Sequence, residues 1–218
     1  MSKVLKKYKK ESLWILVLLV LFLVLTYLVV TLKTSKIDEE AFNLLIRLKC
    51  KPVTSILYVI TEIGSSMGVI MVLLISLIPF IKTKKLSDFK YVLINTMLGV
   101  LLMKGIKEIV RRTRPSWKWI KEGGFSYPSG HTISAILLYG TLLLIVKKHV
   151  HGKLRKPLII FLSCMMFLIP ISRIYFGVHY LTDVLASTIL GSIILIITNM
   201  IMDKEYYIHD KNKDRKTV

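Results

Sequence analysis

Residues 13–32 read LWILVLLVLFLVLTYLVVTL, twenty positions without a single charge. Wound as a helix, that length rises ~30 Å, the thickness of the hydrocarbon core of a bilayer. The run follows a basic head, Lys6-Lys7-Tyr8-Lys9-Lys10. Such a head resembles the start of a signal peptide, but the run is too long for one and no small-x-small cleavage site follows. It reads as an uncleaved first span. Further apolar runs cover 67–81, 89–103, 132–146, 157–171 and 184–202. The predicted fold is therefore all-α: a polytopic integral membrane protein with six transmembrane helices and both termini on one side. The second and fifth runs are near the lower limit for spanning, so their helices are expected to extend into flanking polar residues.

Composition agrees with that reading and removes others. Of 218 residues, 54% are apolar, and Lys plus Arg outnumber Asp plus Glu by 32 to 13. Mean hydropathy is +0.61. A soluble nucleic-acid binder is basic but polar; this chain is basic and apolar together. Disordered and collagen-like classes fail on the same apolar content. Cys50 and Cys164 cannot build a disulfide framework and match no zinc motif. No internal repeat is visible, so one domain over 1–218 is expected, with a disordered charged tail from about 204 to 218.

Lys and Arg also orient the chain. The N-terminal tail, 82–90, 147–156 and the C-terminal tail carry 5, 4, 5 and 5 of them, all on one side of a six-span layout. Nineteen of 32 on one face, in short segments, mark it as cytoplasmic. Both termini are thus expected in the cytoplasm of a multi-pass cell-membrane protein. Of the 13 on the other face, seven crowd between Lys104 and Lys121, against the topological trend. Between the first two spans, 38–62 has apolar residues at 41, 42, 44, 45, 46, 48, 53, 56, 57, 59 and 60. This pattern suits an amphipathic helix along the outer interface, broken near Pro52, or else a tilted part of the second span.

Three polar clusters fall at the outer face, where groups that are costly near a bilayer suggest function. The first is Lys104, Lys107, Arg111 and Arg114, then Pro115. Steps of three and four place these cations on one helical stripe, with Pro115 ending the helix. A lipid-headgroup snorkel is the plain alternative. The second is Tyr127-Pro128-Ser129-Gly130-His131, where a capped helix start offers free N–H groups and a hydroxyl to an anion. A simple helix cap is the alternative there. The third is Ser172-Arg173, His179 and Asp183. A carboxylate four residues after a histidine can hold one imidazole N–H and free the other nitrogen as a nucleophile. A structural His–Asp pair is the alternative. Trp117 and Trp119, between the first two clusters, read as interfacial anchors.

Together these residues resemble the type 2 phosphatidic acid phosphatase (PAP2) superfamily. Its K-x6-R-P element is matched by Lys107, Arg114 and Pro115, and P-S-G-H by Pro128, Ser129, Gly130 and His131. S-R-x5-H-x3-D is matched by Ser172, Arg173, His179 and Asp183, with no departure at any signature position. The core signature lies within 104–183. The resemblance implies that His179 attacks phosphorus to form a phosphohistidine, oriented by Asp183. His131 then protonates the leaving oxygen and activates the water that releases phosphate. Lys107, Arg114 and Arg173, with Ser129 and the Gly130 amide, hold the phosphoryl oxygens. Phosphoryl transfer needs in-line positioning and charge stabilisation on three oxygens, which three cations and a helix N-terminus can supply without magnesium. No metal or other cofactor is expected, since Asp183 is committed to His179 and no carboxylate cluster stands beside it.

The implied partner is a membrane lipid phosphate. Bacterial members of the family act on undecaprenyl diphosphate, phosphatidylglycerol phosphate or phosphatidic acid, and the motifs do not separate these. No nucleic acid and no obligate protein partner are expected. A lipid or anion transporter using the same basic pocket is the competing class, although transporters place such groups near the midplane of repeated halves. A soluble haloperoxidase with a similar oxyanion pocket ranks lower.

Overall fold

A computed structural model describes residues 2–214, with side chains described from 8 to 205. Eight α-helices and one short 3-10 turn make up the chain among these residues, with no strand. They are α1 (Ser2–Val30), α2 (Ser35–Ile46), α3 (Lys51–Ile63), α4 (Ser66–Lys82), α5 (Leu86–Val110), α6 (Gly130–His149), α7 (Arg155–Tyr175) and α8 (Leu181–Asp214). Local chemistry sets several boundaries. Leu32 takes a left-handed φ of 59° after α1. Pro52 sits in the first turn of α3, where its missing N–H is harmless. Ser65 caps α4 by accepting the Gly68 N–H at 3.1 Å. Lys147, Lys148 and His149 close α6 at its electronegative end.

Among the described residues, five helices are long and apolar enough to cross a membrane: Tyr8–Val30, Leu86–Val110, Gly130–His149, Gly152–Tyr175 and Leu181–Glu205. The predicted second span differs. Its apolar run becomes α4, only 17 residues long, preceded by α3 at a 67° bend across Gly64 and Ser65. The fifth run extends into its polar flanks, from Arg155 to beyond Arg173. The segment expected to be one broken amphipathic helix is two, α2 and α3, separated at 47–50. The tail expected to be disordered continues α8 as helix through Asp214, because 204–214 contains neither proline nor glycine to stop it. Residues 215–218 lie outside the described residues.

The centre of the bundle is α6, whose apolar window is 67% buried, against 6% for α1 at the rim. It packs against α5, α7 and α8. Between apolar helices in lipid, close van der Waals fit and buried hydrogen bonds hold the bundle, since lipid is as apolar as leucine. A Cβ on Gly140 would stand 2.4 Å from Leu195 Cδ1, and one on Gly191 2.6 Å from Ile136 Cγ2. These glycines let α6 and α8 approach closely. Asn95 of α5 donates to Thr141 Oγ1 of α6 at 2.8 Å and accepts from Thr198 of α8 at 3.0 Å. That three-way bond fixes the relative rotation of the helices, and with it the end of the bundle where the site lies.

Candidate active site

Two chain reversals build the site. At the first, α5 stops at Val110 because Arg111 takes a left-handed φ of 48°. The loop 111–129 then folds back over the bundle end. Ser126 pins it by donating its N–H to Arg112 O at 2.8 Å and its hydroxyl to Thr113 O at 3.0 Å. At the second, α7 ends at Tyr175 and residues 176–180 lead into α8. The N-termini of α6 and α8 meet there: Ser129 N–H donates to Asp183 O at 3.3 Å, and Ser187 Oγ donates to Ser129 O at 2.9 Å. Clusters far apart in sequence are thereby joined.

His179 and Asp183 form the expected pair. The His179 Nδ1 lies 3.2 Å from Asp183 Oδ2, which also accepts the Tyr180 N–H at 3.0 Å. Asp183 is fully buried and His179 only 2% exposed. Burial, and then Arg114, Arg173 and Lys107, hold the His179 imidazole well below its usual pKa. It is therefore neutral near pH 7, with its proton on Nδ1 facing the carboxylate. The other nitrogen, Nε2, accepts from Arg114 Nη1 at 3.0 Å. A lone pair thus points at one of the predicted phosphate-binding cations.

Arg114, Arg173 and Lys107 all act electrostatically on that imidazole. Arg114 also donates through Nη1 to Val178 O at 2.8 Å and through Nε to Gly123 O and Gly124 O at 2.9 and 3.1 Å. Lys107 Nζ donates to Phe125 O. Arg173, 1% exposed, donates to Thr61 Oγ1 at 2.6 Å and to the Glu122 carboxylate. Its Nε is buried without a hydrogen-bond partner among the described residues. Such a donor is costly unless a ligand oxygen meets it. Ser129 caps α6 as expected, its Oγ accepting from Thr132 N at 3.4 Å and from the Thr132 hydroxyl at 2.9 Å. Gly130 opens the helix, where a Cβ would come within 3.3 Å of Met103 Cε. His131 follows on α6 and lies within the electrostatic field of Arg173, His179, Arg114 and Lys107.

Several expectations need correction. The stripe of four cations does not exist, because α5 ends at Val110 and not at Pro115. Lys104 is exposed, and Arg111 turns outward to Glu108, 3.5 Å away. Arg112, which the spacing passed over, turns inward instead. It reaches Asp183 Oδ1 and Asp38 Oδ2, both at 2.7 Å. Burial works to lower its pKa, yet Asp183 and Asp38 carry it above the usual value. The two tryptophans are not plain interfacial anchors. Trp117 stacks on Phe42 and meets Tyr180 edge-on. Trp119 donates its indole N–H to Tyr175 O at 2.9 Å and packs on Phe176. Both rings fasten the loop to α2 and to the end of α7. Asp38, Glu122, Thr61 and Thr182 also reach the site with no sequence signal, since each is drawn in by a tertiary contact.

The PAP2 superfamily profile matches residues 89–207, more than half of the chain. The chain belongs to the PAP2 superfamily. Phosphatidylglycerophosphatase B of Bacillus subtilis (strain 168) is 28% identical over 193 residues, covering 87% of this chain and 93% of that protein. The crystal structure of a transmembrane PAP2 type phosphatidylglycerolphosphate phosphatase from Bacillus subtilis superposes with TM-score 0.78 at 27% identity, covering 88% of this chain and 96% of that one. Aquifex aeolicus LpxE shares the fold at TM-score 0.59 and 24% identity, over 75% of this chain and 94% of that one. The chain is thus a multi-pass membrane protein of the PAP2 superfamily, similar over most of its length to phosphatases.

Proposed function

We propose that this chain removes the terminal phosphate of a membrane lipid, of the class of phosphatidylglycerol phosphate, undecaprenyl diphosphate or phosphatidic acid, through a phosphohistidine on His179. The observation that carries the reading is the His179 pair: Nδ1 held by Asp183 at 3.2 Å, Nε2 turned to Arg114 at 3.0 Å. A neutral imidazole so oriented is a nucleophile aimed at an anion site. Lys107, Arg114, Arg173, the Gly130 amide and Ser129 receive the phosphoryl oxygens, and charge on these oxygens is offset without a metal.

The lipid side of the reading rests on a groove. A cavity of about 950 Å³ lies between α3, α4, α6 and α7, lined by residues such as Ile63, Met71, Phe80, Leu142 and Phe161. Its lining includes Ile63 and Ser65, at the bend between α3 and α4. The glycine between them is beside His131, since a Cβ on Gly64 would be 3.4 Å from His131 Cδ2. In-line displacement puts the leaving oxygen opposite the nucleophile. With His131 as the acid that protonates that oxygen, the hydrocarbon tail leads away into the groove. We place six crossings, the second made by α4 with its bent lead-in α3, and α2 along the outer interface. Charge sorting then puts the termini in the cytoplasm and the site outside. Family membership and its phosphatase relatives leave the transporter reading without support.

The test is phosphate release by purified protein from the three lipid phosphates in one detergent, with EDTA present throughout. Release from at least one, abolished in His179→Ala, is the expected result. No release from any of them, or strict need for added magnesium, would end the reading.

A further inference from the structure

Helix α2 is amphipathic in sequence, yet Asp38 is its one buried residue. Ile37 and Leu44 of the same helix are 52% and 64% exposed. Phe42 stacks on Trp117 and Leu45 packs beside Tyr175 and Phe176, so α2 already has apolar contacts that dock it; a buried acid adds little to them, because burying an ion pair is rarely better than burying hydrocarbon of the same volume. Asp38 must therefore be explained by what it holds. Its Oδ1 accepts the Thr182 N–H and the Thr182 hydroxyl, both at 2.9 Å. Its Oδ2 accepts from Arg112 Nη2 at 2.7 Å. Arg112 passes on through Nη1 to Asp183 Oδ1 at 2.7 Å and to Thr182 Oγ1 at 2.8 Å, with its guanidinium 3.8 Å from the Tyr180 ring. An unbroken line of buried contacts runs Asp38–Arg112–Asp183–His179.

Resting on the phosphohistidine reading above, we infer that Asp38 is a positioning residue for the nucleophile, acting through Arg112 on the catalytic carboxylate. Asp183 has two oxygens and two tasks: Oδ2 faces His179, and Oδ1 meets Arg112. One guanidinium is shared between two carboxylates. While Asp38 takes half of its donors and its charge, Asp183 keeps enough charge to steady the imidazolium that attack creates. Asp38 also fixes the guanidinium plane, so the Asp183 carboxylate cannot rotate away from His179 Nδ1. Without Asp38 the guanidinium would turn fully onto Asp183, weaken its pull on the imidazole proton, and loosen its plane. Substrate binding would change little, because Lys107, Arg114 and Arg173 make no contact with Asp38. The seat of α2 thereby becomes part of the catalytic apparatus.

The experiment compares Asp38→Asn, Asp183→Asn and the double variant on one lipid phosphate. Asp38→Asn is expected to lower kcat about 10- to 100-fold, the usual effect of losing an outer-shell orienting partner. KM should stay within about threefold, because ground-state binding is not touched. In the Asp183→Asn background the same change should cost less than about twofold, since residues acting in series are not additive. Phe42→Ala is the control for docking: it removes the ring stacked 5.5 Å from Trp117 on α2 while leaving Asp38 in place. It should lower the thermal midpoint without reproducing the kcat loss. Should Asp38→Asn not fold, Arg112→Lys, which keeps the charge but cannot bridge two carboxylates, takes its place with the same expected kcat loss. Wild-type kcat in Asp38→Asn, full additivity with Asp183→Asn, or an equal kcat loss in Phe42→Ala would each overturn the inference. Wild-type activity in Asp183→Asn would instead sink the phosphohistidine reading itself.

Discussion

Replacing His131 by alanine separates the two half-reactions, and burial sets the size of the effect. General acid–base catalysis contributes about 10²- to 10⁴-fold, or ~3–5 kcal/mol at ~1.4 kcal/mol per decade. His131 is half-buried beside His179, which is 2% exposed, so bulk water replaces the lost group only in part. With a lipid phosphomonoester such as phosphatidic acid, whose alkoxide leaves poorly, His131→Ala should therefore lose about 10²- to 10⁴-fold in phosphate release. An aryl phosphate such as p-nitrophenyl phosphate hardly needs a proton donor, so its phosphoryl group should still pass to His179. Water attack on the phosphohistidine would then be the slow step. In rapid mixing the variant should give a burst of nitrophenol near one equivalent and a phosphoprotein stable in alkali and labile in acid. His179→Ala should show neither burst nor label. Equal losses on lipid and aryl substrates, with no burst, would refute the division of labour. Label persisting in His179→Ala would refute the nucleophile.

Three further outcomes follow from the geometry. Glu122→Gln should tighten inhibition by inorganic phosphate about tenfold, ~1.4 kcal/mol, because the Glu122 carboxylate touches Arg173 and lies 3.7 Å from Arg114; an unchanged inhibition constant would show that it does not compete for these cations. Because His179 must be neutral to attack and its pKa is held well below the usual value, kcat/KM on an aryl phosphate should stay flat as pH falls through ~6.5 and decline only in more acid solution. Folding stability should meanwhile weaken as pH drops below ~6.5, where the unfolded imidazole takes up a proton that the buried one refuses. An acid limb centred near ~6.5 and abolished with His179 would contradict the burial argument. Finally, with the exposed native Cys50 and Cys164 first replaced, a cysteine at Lys121 should react with an impermeant thiol reagent in intact cells, and one at Lys153 should not. The reverse pattern would place the site in the cytoplasm.

Much of the molecule was legible in sequence because its determinants are local. Runs of apolar residues define helices that must satisfy every backbone group internally, whatever packs beside them. Motif spacing marked His131, His179, Asp183 and the three cations, since these residue types perform phosphoryl transfer wherever they are assembled. The structure brings them to one end of the bundle. Residues chosen by tertiary contact were not legible. Helical periodicity favoured Lys104 and Arg111, but one left-handed residue at 111 ends α5 and rotates Arg112 inward in their place. Asp38 is an acid on a polar-looking helix until α2 docks and Arg112 and Thr182 close on both of its oxygens. Glu122 stands in a loop with no regular structure, and only the fold carries it to Arg173. Sequence alone therefore determined the helical membrane class and the superfamily, and marked the candidate site residues. Tertiary structure decided which buried charges neutralise one another, because the stability of a charge away from water depends on partners that are distant along the chain.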